Sequence, residues 1–231
     1  MQRLTSILAS KVLVNGRDSW EWQWSKNKSF TVKSMYNALL KNHHDYPTTP
    51  TSFPFKEVWK ANVPLNVRFF TWSLMWGRNL TKDRLHSMGI TENATCILCN
   101  SNCETVSHLF VLCPMTQMVC QALIGHLNRA STILQHDDPK VIIIAWPCIN
   151  TRGIGEDIWL LIPYALMWVI WSVRNNIIFS NGKYELQKTV KIIKYLIWAW
   201  LEINGQRRNL KKDHRVSELL QGWKMLIRDE W

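Results

Sequence analysis

Four residues carry metal-ligand spacing: Cys96, Cys99, His108 and Cys113 stand in the pattern C-x2-C-x8-H-x4-C. A C-x2-C turn brings two sulfurs to one ion, and His108 and Cys113 close on it from the next helical turn and its end. Three thiolates and one imidazole complete a tetrahedral Zn²⁺ shell. All four places are then filled by protein and none is left for an activated water, so the pattern predicts a structural ion rather than a catalytic one. The alternative is a group of buried thiols beside an unrelated histidine. Cys103 is a rival ligand in the same loop. Cys120 and Cys148 have no partner at ligand spacing and read as core thiols. His43, His44, His86, His126, His136 and His214 have no positioned acid or thiol in sequence and read as surface or internally satisfied.

Other catalytic signatures are missing. A polymerase displays paired metal-binding carboxylates as [FY]-x-D-D, whereas Asp137 and Asp138 follow His136 and precede Pro139, as in a loop. A two-metal nuclease needs several converging carboxylates, and the 17 acids of this chain are scattered. There is no Gly-rich phosphate loop, G-x-S-x-G elbow or H-E-x-x-H helix.

The charge balance points to a polyanion. Of 231 residues, 28 are Lys or Arg and 17 Asp or Glu, a net charge of +11; nucleic acid and anionic membrane surfaces both suit such a field. Two basic surfaces compete. One is Arg68, Arg78, Lys82 and Arg84 beside the Cys/His loop; the other is the tail Arg207, Arg208, Lys211, Lys212 and Arg215. The chain also holds 14 Trp, a residue that anchors cores and stacks on unpaired bases.

The positioning elements follow from periodicity. With 47% apolar residues, 9 Gly, 8 Pro and 6 Cys, the composition is globular and not that of a disulfide scaffold. Trp20, Trp22 and Trp24 alternate with polar residues, which predicts a small hairpin over 20–32. Helices are expected over 32–41, 55–61, 64–76, 81–88 and 114–128. The helix 64–76 is apolar enough to be buried over most of its circumference. Thr81 reads as an N-cap and Gly89 as a C′ residue. The stretch 131–155 reads as irregular, with a strand-like run at 141–146. An apolar helix over 157–180 holds an uninterrupted run at 158–173, too short to span a bilayer. Its Trp159, Trp168 and Trp171 are expected against a second helix, whose stripe Leu186, Val190, Ile193, Ile197 and Trp200 steps by 4, 3, 4 and 3. Pro47, Pro50 and Pro54 mark a linker. The segment 1–14 has no uninterrupted apolar core of a secretory signal, and a transit peptide is its other reading. The expected division is 1–50, a Trp-rich hairpin and helix; 51–130, a zinc-binding core; and 131–231, a helical region with a basic tail. The fold class is mainly α with a small N-terminal β-hairpin: a zinc-stapled helical domain followed by a helical hairpin.

The words F-K-E-V-W-K-A-N-V-P-L-N-V-R-F-F-T-W at 55–72, G-R-N-L-T-K-D-R-L at 77–85, C-I-L-C at 96–99 and E-T-V-S-H-L-F-V-L-C-P at 104–114 carry a family resemblance. The stretch resembles the zinc-binding domain C-terminal to the reverse transcriptase in plant non-LTR (LINE-type) retroelement proteins. S-F-T-V-K-S-M-Y at 29–36 and W-V-I-W-S-V-R-N-N-I-I-F at 168–179 resemble its flanking segments. The resemblance implies one structural Zn²⁺ on Cys96, Cys99, His108 and Cys113, with Cys103 outside the set. It implies a non-catalytic accessory domain of a retrotransposon-derived reverse transcriptase-like protein. Weak, non-specific binding of single-stranded RNA or DNA is expected, without a small-molecule substrate or membrane span, in a reducing intracellular compartment, nucleus or cytoplasm. The alternatives are a protein–protein module using the stripe 186–200 on a partner helix, and a degenerate retroelement relic without selected function.

Overall fold

A computed structural model describes residues 20–42, 53–149, 154–203, 211 and 215–228. The segment 1–14, most of the Pro-rich linker, His43, His44, His214 and the tail residues Arg207, Arg208 and Lys212 lie outside the described residues. The chain divides into two compact units, Met1–Phe53 and Pro54–Trp231.

The first unit contains α1, Val32–Asn42. Thr31 caps it: the Ser34 N–H donates to Thr31 Oγ1 at 3.0 Å, and the Thr31 N–H donates to Ser34 Oγ at 3.1 Å. The expected hairpin is not there, and no strand occurs among the described residues. The chain over 20–31 is a turn closed by the Trp22 N–H donating to Lys28 O at 2.6 Å. The alternating Trp residues serve a different purpose. Trp22 meets Trp24 and Phe30 edge-on at 4.8 and 4.9 Å, so the period of two builds an aromatic knot instead of a ladder. A lone two-stranded ribbon is marginal in water.

The second unit is helical: α2 Phe55–Trp59, α3 Leu65–Met75, α4 Lys82–Ser87, a π-helical turn His108–Leu112, α5 Pro114–Ile124, α6 Ala130–Leu134, α7 Pro139–Ile144, α8 Ile154–Ser180, α9 Leu186–Trp200, α10 Val216–Gln221 and α11 Trp223–Leu226. The stretch expected to be irregular and strand-like is α6 and α7. Pro139 sits in the first turn of α7, and the Lys140 N–H donates to Asp138 Oδ1 at 2.8 Å. With a cap and no neighbouring strand to pair, the β-branched run Val141–Ile144 takes the helical option.

α8 is the spine. At 27 residues it is longer than the sequence suggests and, by length and composition, long enough to cross a membrane, so the argument from shortness fails. Two thirds of its most apolar window is buried inside the protein. Ile158, Trp159, Leu161, Ile162 and Ile170 are part of the core. α9 packs along α8 and also meets α5 and α10. Its buried face is Thr189, Ile193, Ile197 and Trp200, so the stripe offered to a partner helix is mostly covered within the chain. The tryptophans of α8 also meet rings outside α9. Trp168 and Trp171 stand against Phe70 at 5.5 and 6.2 Å, Trp171 against Phe110 at 6.3 Å, and Trp159 against Trp146 at 4.7 Å. Long-range hydrogen bonds fix the frame: Tyr164 Oη donates to Glu57 O at 2.7 Å, Tyr184 Oη to Met115 O at 2.9 Å and Trp223 Nε1 to Leu123 O at 2.7 Å.

Candidate metal centre

The ligand loop is framed by two helices that stop on glycine. Gly77 has φ +58° and Gly89 φ +72°. After α3, the Gly77 N–H donates to Leu74 O at 2.8 Å and the Arg78 N–H to Ser73 O at 2.8 Å. After α4, the Gly89 N–H donates to His86 O and the Ile90 N–H to Leu85 O, both at 2.9 Å. This paired closure needs a left-handed residue, which glycine adopts without a Cβ penalty. Thr81 precedes α4 as expected, but its hydroxyl bonds to Asp83 Oδ1 at 2.5 Å rather than capping the backbone.

A narrow ribbon then presents the knuckle. Thr95 and Cys103 form an antiparallel bridge, the Cys96 N–H donates to Asn102 O at 2.8 Å and the Asn100 N–H to Cys96 O at 2.9 Å. Asn100 takes φ +54°, turning the chain just beyond Cys99. On the other side the π-helical turn ends with the Cys113 N–H donating to His108 O at 2.7 Å. That i→i+5 closure sets His108 and Cys113 on one side of the turn. Such wide turns recur at functional sites.

The ligating atoms of Cys96, Cys99, His108 and Cys113 all lie within 4.8 Å of one another. Cys96 Sγ is 4.0 Å from Cys113 Sγ, and Cys99 Sγ is 3.3 Å from His108 Nε2. Zn–S bonds of about 2.3 Å in a tetrahedron put sulfurs about 3.8 Å apart, so the donor set fits Zn²⁺. Cys96, His108 and Cys113 are buried and Cys99 half-buried. Without metal, the hydrogen bond with Cys113 and then burial push the Cys96 thiol well up. The same bond, with the backbone N–H groups of Thr116 and Met115 behind it, holds the Cys113 thiol down against desolvation. Cys113 stands at the N-terminus of α5, where a thiolate is favoured. Cys103 is exposed and outside the cluster. Cys120 is buried, as expected of a core thiol, but Cys148 is exposed: it sits in the extended stretch after α7 and not in a helix face.

Glu104, which sequence reasoning passed over, organises the loop. Its Oε1 accepts from the Lys82 N–H at 2.9 Å and its Oε2 from the Ile97 N–H, inside the knuckle, at 3.4 Å. Arg174 of α8 donates to Glu104 Oε1 from Nε at 3.1 Å and from Nη2 at 2.8 Å, and from Nη2 to Leu80 O at 3.1 Å. The guanidinium also lies 4.9 Å from the Trp171 ring.

The four basic residues expected beside the loop are not equivalent. Arg84 donates to Gly77 O and Arg68 Nε to Val63 O at 3.1 Å, so both brace the backbone. Arg78 is exposed and Lys82 half-buried. In the tail, Lys211 pairs with Glu202 at 2.6 Å and lies 4.7 Å from the Trp198 ring. Among the histidines, His86 and His136 are exposed, and His126 Nε2 is 2.9 Å from Ile227 O.

Residues 30–119, which include all four ligands, match the family described as zinc-binding in reverse transcriptase. That segment is similar to this family. The matched residues take in α1, the helices 55–87, the metal loop and the first half of α5. Over 189 residues, 81% of its length, the chain is 30% identical to an Arabidopsis thaliana protein named as a ribonuclease H protein. It spans 29% of that relative's length. No solved structure matches the chain.

Proposed function

We propose that this is a non-catalytic, nucleic-acid-binding accessory module of a plant retroelement-derived protein. The observation that carries the proposal is the closed ligand set. Cys96, Cys99, His108 and Cys113 satisfy a tetrahedral ion without an open position, so Zn²⁺ bound there would serve as a clip that holds the loop against α4 and α8. Among the described residues no group of three or more acids converges as a two-metal nuclease requires.

The net charge of +11 supplies the affinity. Arg78 and Lys82 are the phosphate contacts on the zinc side, and Arg68 and Arg84 hold the surface that carries them. Single-stranded RNA or DNA is bound without sequence preference, in a reducing compartment where the ligating thiols stay free of disulfides. A salt titration tests this. With about four to six phosphates contacted, log K falls against log[salt] with a slope of about −3 to −4. Lys82→Glu with Arg78→Glu should lower affinity more than Arg207→Glu with Arg208→Glu in the tail. Binding that shows no salt dependence, or that is abolished by the tail charge reversals alone, overturns the proposal.

A further inference from the structure

α3 is apolar on two sides, and the protein covers only one. Val67, Phe70, Thr71, Leu74 and Met75 are buried. Leu65, Phe69, Trp72 and the C-cap residue Trp76 step by 4, 3 and 4, so they share the opposite face. Its rings are partly exposed: Phe69 is 53% exposed, Trp72 43% and Trp76 56%. The expectation of a helix buried over most of its circumference therefore fails. A contiguous row of exposed rings marks an interaction surface.

The surroundings of the row indicate its ligand. Exposed Arg78 stands two residues after Trp76, and Lys56 and Lys60 are exposed on and just after α2, which packs beside α3. Arg68 borders the row and is held by its bond to Val63 O. Across residues 54–80 the sole acid is Glu57. The Trp59 ring meets Phe69 edge-on at 5.4 Å and steadies that end of the row. Trp72 and Trp76 are separated along the axis by about 6 Å at 1.5 Å per residue. This exceeds the roughly 3.4 Å between stacked bases of a duplex strand, so it suits bases splayed from an unpaired strand.

We infer that this face of α3 is a base-stacking platform for single-stranded nucleic acid, with Trp72 and Trp76 each taking a base and Arg78 a phosphate beside them. It rests on the nucleic-acid reading above and gives that reading its base contacts. Stacking on aromatic rings tolerates any base, in keeping with binding that lacks sequence preference.

The test uses the full chain and two probes of equal length and charge, an oligoadenylate and an abasic phosphodiester strand, followed by fluorescence anisotropy. Trp72→Ala and Trp76→Ala should each weaken oligoadenylate binding by about five- to a hundredfold. Binding of the abasic strand, zinc content and helical circular dichroism should not change, and Trp72→Phe should restore most of the loss. If the double alanine variant binds oligoadenylate as the parent does, with the same salt slope, the platform is wrong and the nucleic-acid reading stands. If the parent binds neither strand, both fail. If the parent self-associates and the double variant does not, the row is a protein interface and the platform is overturned.

Discussion

Glu104 and Arg174 lie 70 residues apart in the chain and 2.8 Å apart in the fold, with side-chain exposures of 0% and 2%. Their pairing ties the metal loop to the spine helix and, through the Lys82 N–H and Leu80 O, to the start of α4. Two buried ions of opposite sign are tolerable because the remaining lone pairs and protons also find partners. Removing one leaves the other uncompensated. Arg174→Met should therefore destabilise the second unit by about 3–5 kcal/mol, read by urea unfolding of the zinc-loaded chain. A double variant, Arg174→Met with Glu104→Gln, should recover part of that loss. A single-variant loss below about 1 kcal/mol, the range of surface pairs, would mean the pair is not buried as described.

Zinc loss should follow the ligand set. Cys99→Ser should release the metal and unfold at least residues 81–128, because structural Zn²⁺ contributes its binding energy to folding. Cys120→Ser should keep the metal. The ligands bind deprotonated, so lowering the pH should displace zinc as protons compete for the thiolates and His108. Metal analysis after gel filtration at stepped pH reads both effects. Equal zinc loss in the two variants would refute the assignment.

Thiol reactivity should sort the six cysteines into three groups. Exposed Cys103 and Cys148 should react with a disulfide reagent at once, and a chelator should release Cys96, Cys99 and Cys113. Cys120 should stay silent until unfolding, since burial pushes its thiol from 9.0 up to about 12. The sign carries to stability. The unfolded thiol ionises near 9.0 and the folded one near 12, so the contribution of keeping Cys120 neutral is full below pH 9.0 and is lost as the pH rises toward 12. Cys120→Ala should flatten that alkaline decline. More than two fast thiols in the zinc-loaded chain would contradict this sorting.

Much of the site could be read from the chain before any contact was known. C-x2-C-x8-H-x4-C is a local code: a knuckle and a wide helical turn carry two ligands each, so spacing alone names the four atoms that meet. The helix stop at Gly89 and the stripe on α9 were equally legible, because helix ends and helical periodicity act over a few residues, whereas Thr81 marks the start of α4 without capping it. Period two at Trp20, Trp22 and Trp24 and the run Val141–Ile144 misled for the converse reason. A strand needs a partner to pair with, and propensity does not supply one. The Glu104–Arg174 pair left no trace in sequence, where the two charges stand 70 residues apart with nothing local to couple them. Which face of α3 would be covered was likewise open, since the helix is apolar on two sides and only the packing of its neighbours selects the buried one. The metal site is short-range chemistry written in spacing; its anchoring to α8, and the aromatic row left facing outward, were decided by residues that meet only once the chain is folded.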